Sequence, residues 1–438
     1  MPVLPTLSTP SVRSNFDTHV PCCSKVSVSR VECGARRHVR KVNTFTAALA
    51  GCISVILSTP VFGQTDRPDS TAAQSSLSPT IRVTAGWDDN IFRANEADGP
   101  IADFSTIISP AAQGSLRVSR LRLSGQGEVD FINFRRVDDI NSIDVLTDGR
   151  VELPLGRLTP YFGGDWTNTR HRRNFEIDLP VRQVDSGWVA GVDLRLSGKT
   201  SFGVSRRRSR VDYKGDTNYL GSDLAQYLGA AAWINGVRFR YALTPFTTIG
   251  ADIEQDRTEF EVATERDSDG VLVASVVEFR PLALVSGRVR LGIRKRTFLD
   301  GNAPSFRTVV ARFDLAYTLL GRTRFALTGQ RDLSYSYRAD QRDYLPTGGE
   351  LAVSHRLGNA WDIGGAVGGY RLQYGLAIPN GPVASRSERV LTYRMGIGYF
   401  IAGVRVGVEA SREMRTSDFS VGRDYELTRI ASSVSYAF

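Results

Sequence analysis

Hydrophobic and polar residues alternate along this sequence from residue 79 to its last residue, Phe438. In residues 285–298 one face of an extended chain is apolar, and it holds Val285, Gly287, Val289, Leu291 and Ile293. The opposite face is polar, and it holds Ser286, Arg288, Arg290, Gly292, Arg294 and Arg296. Residues 121–132 and 184–197 repeat this period of two, which is that of a β-strand. The pattern therefore predicts an all-β protein built from long strands.

Short turn signals recur roughly every 40 residues, as in a series of repeated hairpins. They are Ser119-Arg120, Pro154-Leu155-Gly156, Ser197-Gly198-Lys199, Thr244-Pro245, Pro281-Leu282, Gly321-Arg322, Gly358-Asn359 and Ala402-Gly403. Longer, more polar connections alternate with them, including residues 169–181, 212–223, 264–270, 299–305 and 379–387. Short turns on one side and long loops on the other are typical of bacterial outer-membrane barrels. We therefore predict a transmembrane antiparallel up-and-down β-barrel of about 18 strands, with both termini on the periplasmic side.

Two other all-β folds share parts of this pattern. A β-propeller has a similar repeat length but needs four short strands in each unit, whereas this sequence shows two long ones. A soluble β-sandwich would show the same alternation with core and solvent exchanged. The length of the strands, their aromatic ends and a secretion signal at the N-terminus favour the barrel.

The last predicted strand ends on an aromatic residue. Ile430, Val434, Tyr436 and Phe438 fall on one face of this strand, and small or polar residues dominate the other. This arrangement resembles the terminal signal by which the outer-membrane assembly machinery recognises barrels. We interpret Val434, Tyr436 and Phe438 as that assembly signal.

The N-terminal region has the features of a secretory leader. Residues 36–41 are basic, residues 45–57 are apolar, and Val61-Phe62-Gly63 fits a signal-peptidase site. We expect residues 1–63 to be an N-terminal extension and signal peptide, 64–78 a periplasmic lead-in, and 79–438 the outer-membrane β-barrel. Leu49-Ala50-Gly51-Cys52 leaves a second interpretation open, in which Cys52 is lipidated.

Composition agrees with secretion and argues against nucleic-acid binding. All four cysteines lie before residue 64, so the predicted barrel has no thiol to mispair in an oxidising compartment. The first 63 residues hold seven Lys/Arg and two Asp/Glu, so much of the net charge of +9 belongs to the leader. No nucleic acid is expected as a partner.

Two short motifs connect the sequence with a known family. Residues 87–93, Trp-Asp-Asp-Asn-Ile-Phe-Arg, lead into an acidic loop and a strand at 104–119, and Arg280-Pro281-Leu282 precedes residues 285–289. Over residues 79–438 these features resemble the β-barrel porin 2 family of outer-membrane proteins. The resemblance implies association with exopolysaccharide synthesis and export systems of Gram-negative bacteria. It implies no catalytic residues, and we expect no cofactor.

Basic residues are the main candidates for chemistry inside the predicted barrel. The predicted lumen-lining set is Arg238, Arg240, Arg288, Arg290, Arg294, Arg296, Arg312 and Arg394. They could form an electropositive track for acidic glycans or other anions. They could instead form ion pairs that hold the wall, with Glu128, Asp130, Asp193, Asp252, Glu254, Glu278, Asp314 and Glu409. The second interpretation is the more ordinary one in a large barrel.

Other polar residues give weaker indications of function. After the leader the only histidines are His171 and His355, and no metal-binding spacing or Ser/His/Asp set is evident. Asp88-Asp89-Asn90 could bind calcium but is more typical of a turn. We therefore expect no enzyme and no metal, although an outer-membrane hydrolase that uses His171 remains an alternative.

The expected function is that of an outer-membrane channel for export or passage of surface polysaccharide. A general or solute-specific porin is the main alternative, since a barrel of about 18 strands can hold an aqueous channel. Expected partners are outer-membrane lipid and lipopolysaccharide, the barrel assembly machinery and polysaccharide export components. The expected location is the outer membrane of a Gram-negative cell.

Overall fold

The computed structural model describes residues 75–172, 174–280, 284–301, 305–339, 341–374, 386–418 and 423–438. Its main sheet has 19 antiparallel strands, one of which is the two-residue segment Ser334–Tyr335 inside a loop. The remaining strands pair in sequence order, and the first pairs with the last, so the sheet closes into a barrel. The leader predicted at 1–63 lies outside the described residues.

Eighteen long strands therefore form the wall in the part of the chain that is described, which confirms the prediction of about 18. The first nine are β1 (Ser76–Asp88), β2 (Asp103–Val118), β3 (Leu121–Phe134), β4 (Ser142–Glu152), β5 (Leu158–Thr169), β6 (Arg182–Arg195), β7 (Thr200–Lys214), β8 (Ala230–Ala242) and β9 (Thr247–Phe260). The others are β10 (Ser268–Phe279), β11 (Val285–Phe298), β12 (Phe306–Leu319), β13 (Thr323–Arg331), β14 (Asp343–Leu357), β15 (Trp361–Tyr374), β16 (Ser387–Ile401), β17 (Val404–Ser417) and β18 (Tyr425–Ala437).

The two ends of the barrel differ in their connections. At one end the strands are joined by turns of two to five residues, and at the other by loops of seven to 15 residues. β1 begins and β18 ends at the short-turn end. The predicted turn residues Pro281-Leu282, and residues 379–385 of the predicted connection 379–387, lie outside the described residues. In outer-membrane barrels the short turns are periplasmic, so the long loops face the cell exterior.

Alternation along each strand separates an apolar outer face from a polar inner face. On β10, Val271 and Val273 are about half exposed, whereas the intervening Leu272 is 1% exposed. On β11, Leu291 and Ile293 are exposed in the same way. Exposed apolar side chains over a whole barrel surface are stable when they face lipid. This arrangement excludes the sandwich and propeller alternatives.

Helical structure is minor in this fold. The described residues contain one α-helix, Leu224–Leu228, and 3₁₀ turns at Glu96–Asp98, Asp138–Ile140 and Thr264–Arg266. No helix in these parts of the chain is both long and apolar enough to cross a membrane.

The closing pair of strands contains the predicted assembly signal. Val434 and Tyr436 of β18 are the register partners of Val83 and Ile81 of β1, and all four side chains point outward. The backbone amide of Phe438 donates to the carbonyl of Pro79 at 3.0 Å. The last aromatic residue therefore lies at the seam, at the periplasmic end.

Removing Phe438 is expected to lower the yield of folded barrel several-fold, because the seam loses a backbone hydrogen bond and an exposed aromatic side chain. The folded fraction can be measured in outer membranes by the heat-modifiable shift in electrophoretic mobility. A Phe438→Tyr variant, which keeps the ring, is the control. Equal yields for the deletion and the control would contradict the assembly role, which stays a prediction.

Candidate functional site

A row of arginines on β11 lines the lumen. Arg288, Arg290 and Arg294 occupy inward positions, and they reach across β10 to carboxylates on β9. The nitrogen-to-oxygen distances are 3.0 Å for Arg288–Asp252, 2.6 Å for Arg290–Glu254 and 3.0 Å for Arg294–Asp256. Such pairs fix the direction of the guanidinium groups.

The crossing is possible because β10 presents small or apolar side chains to the lumen. Leu272, Ala274 and Val276 are its buried inward residues, with 1 to 3% exposure. The aliphatic stems of the β11 arginines extend over this strip toward β9, as expected for amphipathic side chains that bury their methylene groups. The ion pairs therefore also shield an apolar patch from water inside the barrel.

Most of the other predicted lumen residues are paired as well. Arg240 bridges Asp252 at 2.6 Å and Glu278 at 3.1 Å. The remaining pairs are Arg238–Asp193, Arg296–Asp343 and Arg394–Glu350, at 2.8, 2.5 and 2.9 Å. Arg312 differs, because it lies opposite Arg290 and has no carboxylate partner among the described residues.

The acidic partners only partly match those that we expected. Asp193, Asp252, Glu254 and Glu278 form ion pairs with the basic set. Within the described ranges Glu128, Asp130, Asp314 and Glu409 form none. Four partners were not predicted from the sequence, and these are Asp256, Asp332, Asp343 and Glu350.

A cavity of about 670 Å³ opens at the short-turn end of the lumen, and we call it the basic vestibule. Eight of its lining residues are basic: Arg157, Arg195, Lys199, Arg238, Arg240, Arg280, Arg288 and Arg290. Four are acidic: Asp193, Asp252, Glu254 and Glu278. The excess of basic side chains makes the potential here positive.

At the long-loop end, the loop of residues 170–181 between β5 and β6 folds into the lumen; we call it the inserted loop. Its Phe175 is buried against inward residues of strands on the opposite side of the barrel. The same buried cluster contains Tyr344 of β14, Leu372 and Tyr374 of β15 and Val390 of β16, and the Phe175 ring lies 4.4 Å from the ring of Tyr370 of β15. Because these strands face β5 and β6 across an 18-strand ring, the loop spans the channel.

Buried ion pairs hold the inserted loop against the far wall. Asp178 accepts from Arg415 of β17 at 2.8 and 2.9 Å and from Arg423 at 2.6 Å. Both arginines also contact Glu388 of β16, which is fully buried. We call Asp178, Glu388, Arg415 and Arg423 the loop latch. Arg172 adds a pair with Glu413 at 2.6 Å.

The two acidic residues of the inserted loop have opposite pKa shifts. Burial alone would raise the pKa of Asp178, but Arg415, Arg423 and Arg172 together hold it below its usual value. For Glu176, burial raises the pKa from 4.5 to about 7. Hydrogen bonds from Ser336 Oγ and the Tyr337 amide, at 2.5 and 3.3 Å, offset only part of that cost. Glu176 therefore titrates near neutral pH.

Three further loops, of residues 215–229, 261–267 and 332–342, complete a packed layer across the lumen. Ile177 of the inserted loop packs with Tyr219 and Leu224 of the loop 215–229 and with Tyr337 of the loop 332–342. Arg266 is 1% exposed and donates to the carbonyls of Tyr227, Ser336 and Arg338. Four loops thus constrict the channel on its extracellular side.

This layer of loops was not predicted from the sequence. A signal was present, because Phe175, Ile177, Leu179 and Val181 alternate with other residues inside a connection that is otherwise polar. That spacing puts apolar side chains on one side of an extended loop, which is unusual for a loop in water.

The remaining candidate residues have structural roles. Asn90 donates from its backbone amide to Asp88 at 2.9 Å, and Asp89 accepts from the Thr428 amide at 2.7 Å, so these residues form a turn that ties β1 to β18. His171 lies 3.1 Å from buried Asp144. No serine hydroxyl hydrogen-bonds to His171 among the described residues. His355 contacts the Thr323 hydroxyl at 2.7 Å.

A closed antiparallel barrel with a lipid-facing outer surface and a charged, loop-constricted lumen defines an outer-membrane porin. The particular family follows from its sequence. Residues 181–438 match the model of the family described as "Putative beta-barrel porin 2", so the chain belongs to that family.

Solved structures to which this chain is similar include Pseudomonas aeruginosa OpdK, with a TM-score of 0.46 and 11% identity over 83% of this chain and 99% of OpdK. Acinetobacter baumannii OccAB4 gives a TM-score of 0.45 and 10% identity over 84% of this chain and 100% of that one. No curated protein sequence matches the chain.

Proposed function

We propose that this porin is an anion-selective channel whose opening is controlled by the inserted loop. The observation that carries the proposal is the basic vestibule, where eight basic side chains face four acidic ones. A narrow lumen that is lined by charge of one sign and bounded by low-dielectric walls concentrates ions of the opposite charge and excludes ions of the same charge. The substrates that fit this field are small anionic solutes.

The basic residues of the vestibule divide into an ion-paired set and an unpaired set, and the unpaired residues are not among the lumen arginines predicted from the sequence. Arg238, Arg240, Arg288 and Arg290 are neutralised by carboxylates and hold the wall. Within the described residues, Arg157, Arg195, Lys199 and Arg280 have no carboxylate partner, although they line the same vestibule. These four supply the positive potential.

Passage of an acidic surface polysaccharide is a second candidate function. The same unpaired basic residues would attract its carboxylates, and family members resemble proteins found with exopolysaccharide systems. However, a polymer needs a continuous wide passage, and the inserted loop spans the lumen. This function therefore requires the loop to withdraw.

The proposal is tested by reversal potentials in planar bilayers under a KCl gradient. We expect chloride to be preferred over potassium, and the R157Q/R195Q/K199Q variant to lose most of that preference. The matched control is R210Q/R257Q/R412Q, which removes three charges from the outer surface of the barrel. A cation preference, or equal selectivity in both variants, would contradict the proposal.

Gene deletion separates the two candidates. Loss of surface polysaccharide, together with a channel that shows no ion flow even when the loop latch is broken, would support dedicated export. Normal polysaccharide and an anion-selective current would support the solute channel.

A further inference from the structure

Unpaired basic residues also occur on the outer face of the barrel, near the middle of β7 and within three residues of the long-loop ends of four other strands. Six of them form what we call the outward basic belt: Arg206 and Arg208 of β7, Lys295 of β11, Arg307 of β12, Arg371 of β15 and Arg389 of β16. Their outward direction follows from alternation with exposed apolar residues of the same strands, such as Val204 and Ile293. None has a carboxylate partner among the described residues.

The belt places like charges next to each other. Lys295 is the direct cross-strand partner of Arg307, and Arg371 is that of Arg389. Arg206 and Arg208 are two residues apart on one strand face. Like charges directly opposite each other destabilise a sheet. An arrangement of this kind is expected where an external anion neutralises the pair.

Arg206 and Arg208 are held in the most defined geometry. Both guanidinium groups lie over the ring of Trp233, at 4.5 and 5.1 Å from its centroid. Trp188 packs edge-on against Trp233 with a centroid separation of 5.6 Å. Tryptophan is enriched at the level where membrane lipid meets water. Because Trp233 lies three residues from the long-loop end of β8, the two arginines beside it are placed near the lipid headgroups on that side.

The outer face shows where that lipid layer is. Toward the short-turn end, the outward residues next to the arginines are Val237, Phe239 and Tyr241 of β8, each more than a third exposed. The charged positions thus begin where the apolar band ends. Because the long loops face the cell exterior, the belt contacts the outer leaflet.

We propose that the outward basic belt binds the phosphate groups of a phosphorylated glycolipid in the outer leaflet, with its best-defined site at Arg206 and Arg208 beside Trp188 and Trp233. Arginine pairs bind phosphate through several charge-assisted hydrogen bonds. The indole rings are suited to contact the sugar and the upper acyl chains. The proposal does not depend on what passes through the lumen.

The test uses the full-length barrel in neutral detergent, with binding of diphosphorylated lipid A measured by native mass spectrometry. Each basic residue near an anionic lipid surface changes binding by about fivefold, so R206Q/R208Q is expected to weaken it by about 25-fold. Binding of dephosphorylated lipid A should be weak and unchanged. Inorganic phosphate at millimolar concentration should not displace the lipid.

The matched control is R257Q/R412Q, which removes two outward arginines that already pair with Glu259 and Glu426. Its lipid A affinity should stay within about twofold of wild type. An equal loss in both variants, equal binding of the two lipids, or displacement by inorganic phosphate would overturn the proposal. K295Q/R307Q provides a second test if R206Q/R208Q does not fold, and it should lose lipid A binding several-fold.

Discussion

Replacing Asp178 by Asn is expected to raise the single-channel conductance several-fold. Asp178 is the carboxylate by which the inserted loop pairs with Arg415 and Arg423. Removing it leaves two buried arginines with Glu388 as their only latch carboxylate. Breaking a buried pair in this way costs about 3–5 kcal/mol, which corresponds to a shift of about 150- to 5,000-fold toward the open loop.

The measurement is single-channel recording of purified protein in planar bilayers at pH 6, with the open probability and the conductance of each level recorded. Asp212→Asn is the matched control, because Asp212 pairs with Arg210 on the outer face and not with the loop. The control should conduct like wild type. If D178N also conducts like wild type, the inserted loop does not close the channel.

The architecture of the wall could be predicted because its cause is local. Each strand of the barrel carries its own period-two pattern, and each turn carries its own signal, as residues 285–298 and Gly358-Asn359 show. The inward direction of Arg288 and Arg290 follows from parity alone. The carboxylates with which they pair cannot be derived in this way. Each arginine passes over β10, and its partner is the residue of β9 that lies within reach two strands away.

The apolar alternation of the inserted loop indicates that the loop is buried, but its partners could not be predicted, because they lie across the full width of the barrel. Phe175 meets Tyr344 and Leu372 only after closure brings β5 and β6 opposite β14 and β15. The latch pairs Asp178 with Arg415, which is 237 residues away in the sequence. Nothing in the local pattern distinguishes this aspartate from a solvated loop residue.

Raising the pH through 7 is expected to open the channel, and Glu176 is the reason. Its carboxyl group is fully buried against Ser336 and Tyr337, with Arg423, Glu388 and Tyr344 also nearby. Burial raises its pKa from 4.5 to about 7, so the inserted loop in its position across the lumen favours the protonated form of Glu176. A carboxyl group whose pKa is raised in the closed position of the inserted loop stabilises that position fully below about pH 4.5. This stability is lost as the pH rises through 7. The difference in pKa corresponds to about 3 kcal/mol in the free energy of closing the inserted loop.

The open probability should therefore increase between pH 5.5 and pH 8.5, with a midpoint near 7. Glu176→Gln keeps a neutral group of the same shape, so its open probability should stay at the low-pH value throughout. Glu265→Gln changes a glutamate of another extracellular loop and should keep the wild-type profile. Because Asp178 stays ionised over this whole range, the latch itself does not titrate. An unchanged pH profile in E176Q would assign the titration to a different group.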